Sequence, residues 1–182
     1  GRGMTAGLSG AIRGAILLVA LALPAAAQDG AVLTKQYDDG SIYEGTFRDG
    51  LQHGRGTYRL PSGFEYEGEW VAGEIRGQGT ARYPDGSVYV GQFAGGRPEG
   101  RGRIAFRDGG SYDGDWVAGR RTGQGTVRYP DGSVYVGAVR DGLPHGRGTL
   151  TEAGGTVYVG DWAEGRREGT GRIAYADGTV YE

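Results

Sequence analysis

No cysteine occurs in the 182 residues, which excludes both a disulfide framework and a lipid-modified cysteine. Histidine is nearly as scarce, at two residues, and no pair of cysteines or neighbouring histidines exists to begin a metal site. Long apolar runs are missing too. The uninterrupted stretch from Gly14 to Ala27 is 14 residues, short of the roughly 20 that a spanning helix needs. Neither sign of charge dominates: 20 Lys and Arg oppose 22 Asp and Glu. Nucleic acid is therefore a poor partner, and no polybasic cluster marks an anionic membrane. With 37% apolar residues, a thick two-layer core is out of reach.

What the chain has in quantity is glycine, 40 residues, together with 12 Tyr, 3 Trp and 4 Phe. Those rings supply apolar surface that a disordered glycine-rich linker would lack. At the N-terminus, Arg13, an apolar run from Ala15 to Leu23 and the small residues Ala25, Ala26 and Ala27 predict a secretory signal peptide over residues 1–27. Residues 28–33 read as a linker, and an uncleaved membrane anchor is the alternative. Cleavage after Ala27 removes Arg2 and Arg13, leaving 18 basic against 22 acidic residues, a net charge of 18 − 22 = −4. The expected location is periplasmic or extracellular.

Self-comparison sets the organisation of residues 34–182. Tyrosine stands at 43, 66, 89, 112, 135, 158 and 181, always 23 residues apart. Six full units follow, 43–65, 66–88, 89–111, 112–134, 135–157 and 158–180, with partial units at 34–42 and 181–182. The decapeptide RYPDGSVYVG occurs at 82–91 and again at 128–137, twice 23 residues on. Alternate units also share Phe47, Phe93 and Val139 in one column against Trp70, Trp116 and Trp162, which points to duplication of a two-unit block.

Within a unit, Tyr66-Glu67-Gly68-Glu69-Trp70 alternates with the period of a strand, and so does Gly79-Thr80-Ala81-Arg82-Tyr83. A loop is expected from Ala72 to Gly77, and Pro84-Asp85-Gly86-Ser87 should turn the chain into the next unit. Each unit is thus predicted to be a β-hairpin. Because one hairpin is marginal alone, neighbours must stack and share their rings. The expected fold is all-β, an elongated single-layer antiparallel ribbon.

The pattern Y-E-G-E-W-x2-G-x3-G-x-G-x6-D-G at 23-residue spacing resembles the MORN repeat, the membrane occupation and recognition nexus. The resemblance covers residues 43–180 and extends weakly to Thr34. It implies a single-layer β ribbon, and a role in lipid binding, protein binding or dimerisation rather than catalysis. The fifth unit departs from it: Ala138-Val139 replace the polar-aromatic pair and Glu152 replaces a ring. Residues 135–157 are therefore the expected soft spot.

No cofactor, metal site or catalytic residue is expected, and the protein should not be an enzyme. His53 and His145 share a column four units apart and read as loop residues. The Asp-Gly pairs Asp85-Gly86, Asp108-Gly109, Asp131-Gly132 and Asp177-Gly178 read as turns rather than calcium loops. The carboxylate pairs Glu67 with Glu69 and Asp113 with Asp115 resemble a hydrolase pair only superficially, since equivalent columns hold Val90 and Gln92, or Val136 and Ala138. The expected site is an aromatic groove lined by Tyr66, Trp70, Tyr112, Trp116, Tyr158 and Trp162, with Arg55, Arg101 and Arg147 at its margin. It would take a protein or peptide segment, or a second copy of the chain. A glycan is one alternative occupant. Another is an anionic lipid headgroup on the arginines Arg97, Arg120, Arg121, Arg166 and Arg167.

Overall fold

The computed structural model describes residues 16–17 and 30–182, and all of its described secondary structure is strand. The expected signal peptide lies outside the described residues, except for Ile16–Leu17 (β1), whose backbone pairs antiparallel with β2 (Leu33–Tyr37). Two compact units divide between Pro98 and Glu99. The first continues with β3 (Ile42–Arg48), β4 (Leu51–Arg59), β5 (Glu65–Val71), β6 (Glu74–Arg82) and β7 (Val88–Ala94). The second takes up β8 (Arg97–Ala105) from Glu99 onward and continues with β9 (Ser111–Val117), β10 (Arg120–Arg128), β11 (Val134–Arg140), β12 (Leu143–Thr151), β13 (Val157–Ala163), β14 (Arg166–Ala174) and β15 (Val180–Tyr181). Within each unit every strand pairs antiparallel with the next along the chain.

The 23-residue period divides as seven residues of first strand, a two-residue turn, nine residues of second strand and a five-residue connection. In the second repeat the turn is Ala72-Gly73, with φ of 49° and 85°. Positive angles at both central residues give the tight turn whose twist matches that of the flanking strands. This corrects the expected loop: β6 already resumes at Glu74, and Gly77 lies inside it rather than before it. Gly77, at φ 89°, sits where the register steps from Gly68 opposite Gly79 to Trp70 opposite Ile75. Such a bulge breaks the alternation by which a strand is recognised.

Glycine makes the thin core possible. Gly68 and Gly79 face each other across β5 and β6, and the Tyr66 ring lies down over them: a Cβ on Gly79 would sit 2.4 Å from the ring's Cε2 atom. The phenol donates a hydrogen bond to the Glu69 carbonyl at 2.7 Å, beside the bulge. Tyr43, Tyr89, Tyr112 and Tyr135 repeat the arrangement onto Thr46, Gln92, Asp115 and Ala138. Trp70 closes the other side, donating its indole N–H to the Gly56 carbonyl at 3.2 Å and meeting Tyr43, Tyr58 and Tyr66 edge to face at 5.1 to 5.7 Å. One layer thus buries its own rings without a second sheet. In this core the hydroxyls of those five tyrosines and the Trp70 N–H still find backbone acceptors, as burial demands.

Consecutive hairpins are joined at their tight turns. The Gly73 N–H donates to the Gln52 carbonyl of the preceding repeat at 2.8 Å, and the Ala72 N–H donates to Nδ1 of His53 at 3.2 Å. In the second unit the same joint uses Glu99 for Ala118, Thr122 for Asp141 and His145 for Glu164. The histidines are strand residues that accept from the next turn, not loop residues. The fifth repeat keeps its joint as well. Where Arg121 lies over the Phe106 ring at 5.1 Å, Arg167 instead pairs with Glu152 at 3.2 Å, so an ion pair fills the place of the missing ring.

Candidate protein-binding surface

Each sheet face has a distinct fate. The six rings expected to line an open groove are core: Tyr66 and Tyr112 are fully buried, Trp70 and Trp116 are 1% exposed, and Tyr158 and Trp162 are 6% and 7% exposed. Leaning onto the glycine pairs hides their faces, so none offers a ring to a partner. Arg55, Arg101 and Arg147 are not beside them either. They project from the opposite face, each across from an acid: Arg55 opposite Glu69, Arg101 3.2 Å from Asp115, and Arg147 3.7 Å from Asp161.

The alternative arginines form no single basic surface. Among those of the second unit, Arg120 pairs with Asp141 at 3.8 Å, Arg167 pairs with Glu152, and Arg121 is half-buried against Phe106. Arg166 is exposed, as is Arg97 in the first unit. The Asp-Gly pairs are turns in which the carboxylate accepts from the backbone two residues on, at 2.8 Å from Asp85 to the Ser87 N–H. That bond and a second from the Ser87 hydroxyl hold the Asp85 carboxyl below the usual range, and Asp131 beside Ser133 behaves alike. No group of three His, Cys, Asp or Glu side chains able to hold a metal is present among the described residues.

The ring-free face of the second unit carries the feature that sequence reading missed. On it, β11 presents Val134, Val136 and Ala138, three residues without charge, where β9 presents Ser111, Asp113 and Asp115. Cross-strand register sets Thr149 opposite Val136 and Thr151 opposite Val134, and then Val159 opposite Thr149 and Val157 opposite Thr151. The other flank places Thr126 opposite Val136. The result is a flat patch of methyl groups and threonine hydroxyls over β10 to β13, with Val136 54% exposed at its centre. Arg128, Asp113 and the Arg147–Asp161 ion pair surround it. An uncharged centre inside a polar rim is the anatomy of a protein-binding surface, and contiguous exposed apolar area of this kind marks such sites. In the matching columns the first unit has Ile42, beside Glu44, and the pair Val88 and Val90, beside Gln92 and Arg82.

Comparison with known proteins agrees with the fold. The MORN repeat matches residues 43–64, 66–88, 89–111, 112–134, 135–157 and 158–180, and the chain belongs to that family. Among curated proteins, rat alsin is 43% identical over 49 residues and the Arabidopsis thaliana protein TIC 100 is 46% identical over 44 residues, each across 24% of this chain. These segments amount to 3% and 5% of the two relatives' own lengths. Among solved structures, the TCP domain of Drosophila melanogaster SAS-4 (dCPAP), in complex with a proline-rich motif of Ana2 (dSTIL), superposes with a TM-score of 0.54. That similarity holds at 14% identity over 83% of this chain and 82% of the other.

Proposed function

We propose that the protein is a non-catalytic MORN-repeat scaffold that binds an extended protein segment on the ring-free face of its second unit. The uncharged patch centred on Val136 carries this reading. Beside it, the ring-bearing face is buried core, and Arg101 and Arg147 on the ring-free face are already opposed by Asp115 and Asp161. The likeness to a domain of the same fold that holds a peptide motif supports it. Residues 1–27, read as a signal peptide, would deliver the scaffold out of the cytoplasm.

The test is a titration of the purified protein with a pool of short extended peptides, followed through the valine methyl signals in the NMR spectrum. Shifts at Val134, Val136, Val157 and Val159 are expected. Binding that leaves those methyls unmoved would defeat the proposal.

A further inference from the structure

We infer that the segment received by the Val136 patch is a polyproline II helix lying across the strands, with proline at every third position. The inference rests on the peptide-scaffold reading and adds the conformation and composition of the ligand.

Spacing is the first argument. Val136 and Val159 occupy the same column of consecutive repeats and lie two strands apart, with Thr149 between them. Two strand spacings are about 9.6 Å. Three residues of polyproline II advance about 9.3 Å and bring the same side of the helix round again. Other conformations fit worse: an extended strand repeats each side every 6.7 Å or so, and an α-helix advances about 10.5 Å in seven residues. Across β10 to β13, three spacings or about 14 Å, a polyproline II ligand of roughly five residues stays in step with the repeats.

Hydrogen bonding is the second. Backbone donors and acceptors of a sheet lie in its plane and are engaged by neighbouring strands, so its face has none to offer. A ligand with ordinary N–H groups pressed onto valine methyls would leave donors unsatisfied. Proline has no N–H, while its carbonyl is an acceptor, and Thr126, Thr149 and Thr151 place hydroxyl donors around the patch.

Charge is the third. On one side the rim is neutralised, with Arg147 paired to Asp161 at 3.7 Å and Arg172, opposite Val159 on β14, 3.8 Å from Glu182. On the other, Arg128 is exposed, two residues along β10 from Thr126, and has no ion-pair partner among the described residues. An acidic residue at the ligand end nearest β10 complements it when it turns toward Arg128, away from Asp113, which lies opposite Thr126 on β9.

The experiment compares three synthetic peptides of about nine residues, each with one terminal glutamate and proline spaced at every second, third or fourth position. Affinity for the full chain is read by fluorescence anisotropy. The three-residue spacing should bind at least about tenfold more tightly than the others. Val136→Asp should weaken it about tenfold, and Val90→Asp in the first unit should leave it unchanged. Arg128→Glu should weaken binding, and replacing the peptide's glutamate by arginine should restore it, which an unfolded variant could not show. Equal affinities at all spacings, still abolished by Val136→Asp, would overturn the polyproline assignment and leave the scaffold reading standing. Failure of every peptide to bind would overturn both.

Discussion

A single glycine decides whether a tyrosine becomes core or surface in this protein. At Gly79 any Cβ meets the Tyr66 ring at 2.4 Å, and Gly68 confronts the backbone of Gly79 at 2.5 Å, so neither position tolerates even alanine without displacing its neighbour. Gly79→Ala is expected to lower stability by about 1–3 kcal/mol, the range for overpacking. Gly154→Ala is the control, because its Cβ would enter open space with no backbone strain, and it should be near neutral. Urea denaturation of the two variants measures the difference. The aromatic periodicity and the room that glycine leaves for a leaning ring were legible in sequence, but not that the rings would be covered completely, since a single layer has no second sheet to close over them. For that reason Tyr66 and Trp70 read as a binding surface when they are interior.

At the scale of strands and turns, the first strand of each repeat was plain in the sequence and the second was only half plain. Ring, glycine and ring alternate through β5, whereas the bulge at Gly77 interrupts the alternation of β6 and makes its first residues read as a loop. The uncharged patch was missed for a related reason. Val134, Thr149 and Val157 come together only through cross-strand register, which no local window contains. One signal was available: Val90 and Val136 stand in a column that holds acids in other repeats, so the ring-free face loses charge at those strands.

The turns make their own predictions. His145→Ala removes the acceptor for the Glu164 N–H and should cost about 0.5–1.5 kcal/mol, with faster hydrogen exchange at the Glu164 amide as its local signature. Glu152→Phe should be tolerated, because Arg167 can lie over the new ring as Arg121 lies over Phe106. A thermal midpoint falling by more than a few degrees would contradict that equivalence.

Over the whole molecule, repetition multiplies small pH effects. Burial pushes the phenols of Tyr43, Tyr112 and Tyr135 up to about 12 from the ordinary 10.0. The unfolded chain therefore ionises first. Their contribution is complete below pH 10 and is lost as pH rises through about 12. Tyrosinate absorbance should climb together with loss of the folded circular-dichroism signal, instead of ahead of it. On the acid side the sign reverses. The Asp39 and Asp85 carboxyls lie below their ordinary 3.8, so what they add is present above that value and disappears as pH falls through their folded-state values. Ser87→Ala, which deletes a hydroxyl donor to Asp85, should flatten this acid limb while leaving the alkaline one unchanged.

Because Tyr43, Tyr66, Tyr112, Tyr135 and Tyr158 rest on the glycines of their own hairpins, each copy brings a large part of its interior with it. A gene of this design can lengthen by copying 46 codons in frame, because the contacts that reach the preceding repeat, as Trp70 reaches Tyr43 and Tyr58, recur with that period and need no residue beyond the neighbouring hairpins. Tandem expansion is then a source of ready-folded variety, free of the compensating substitutions that a globular enzyme would require.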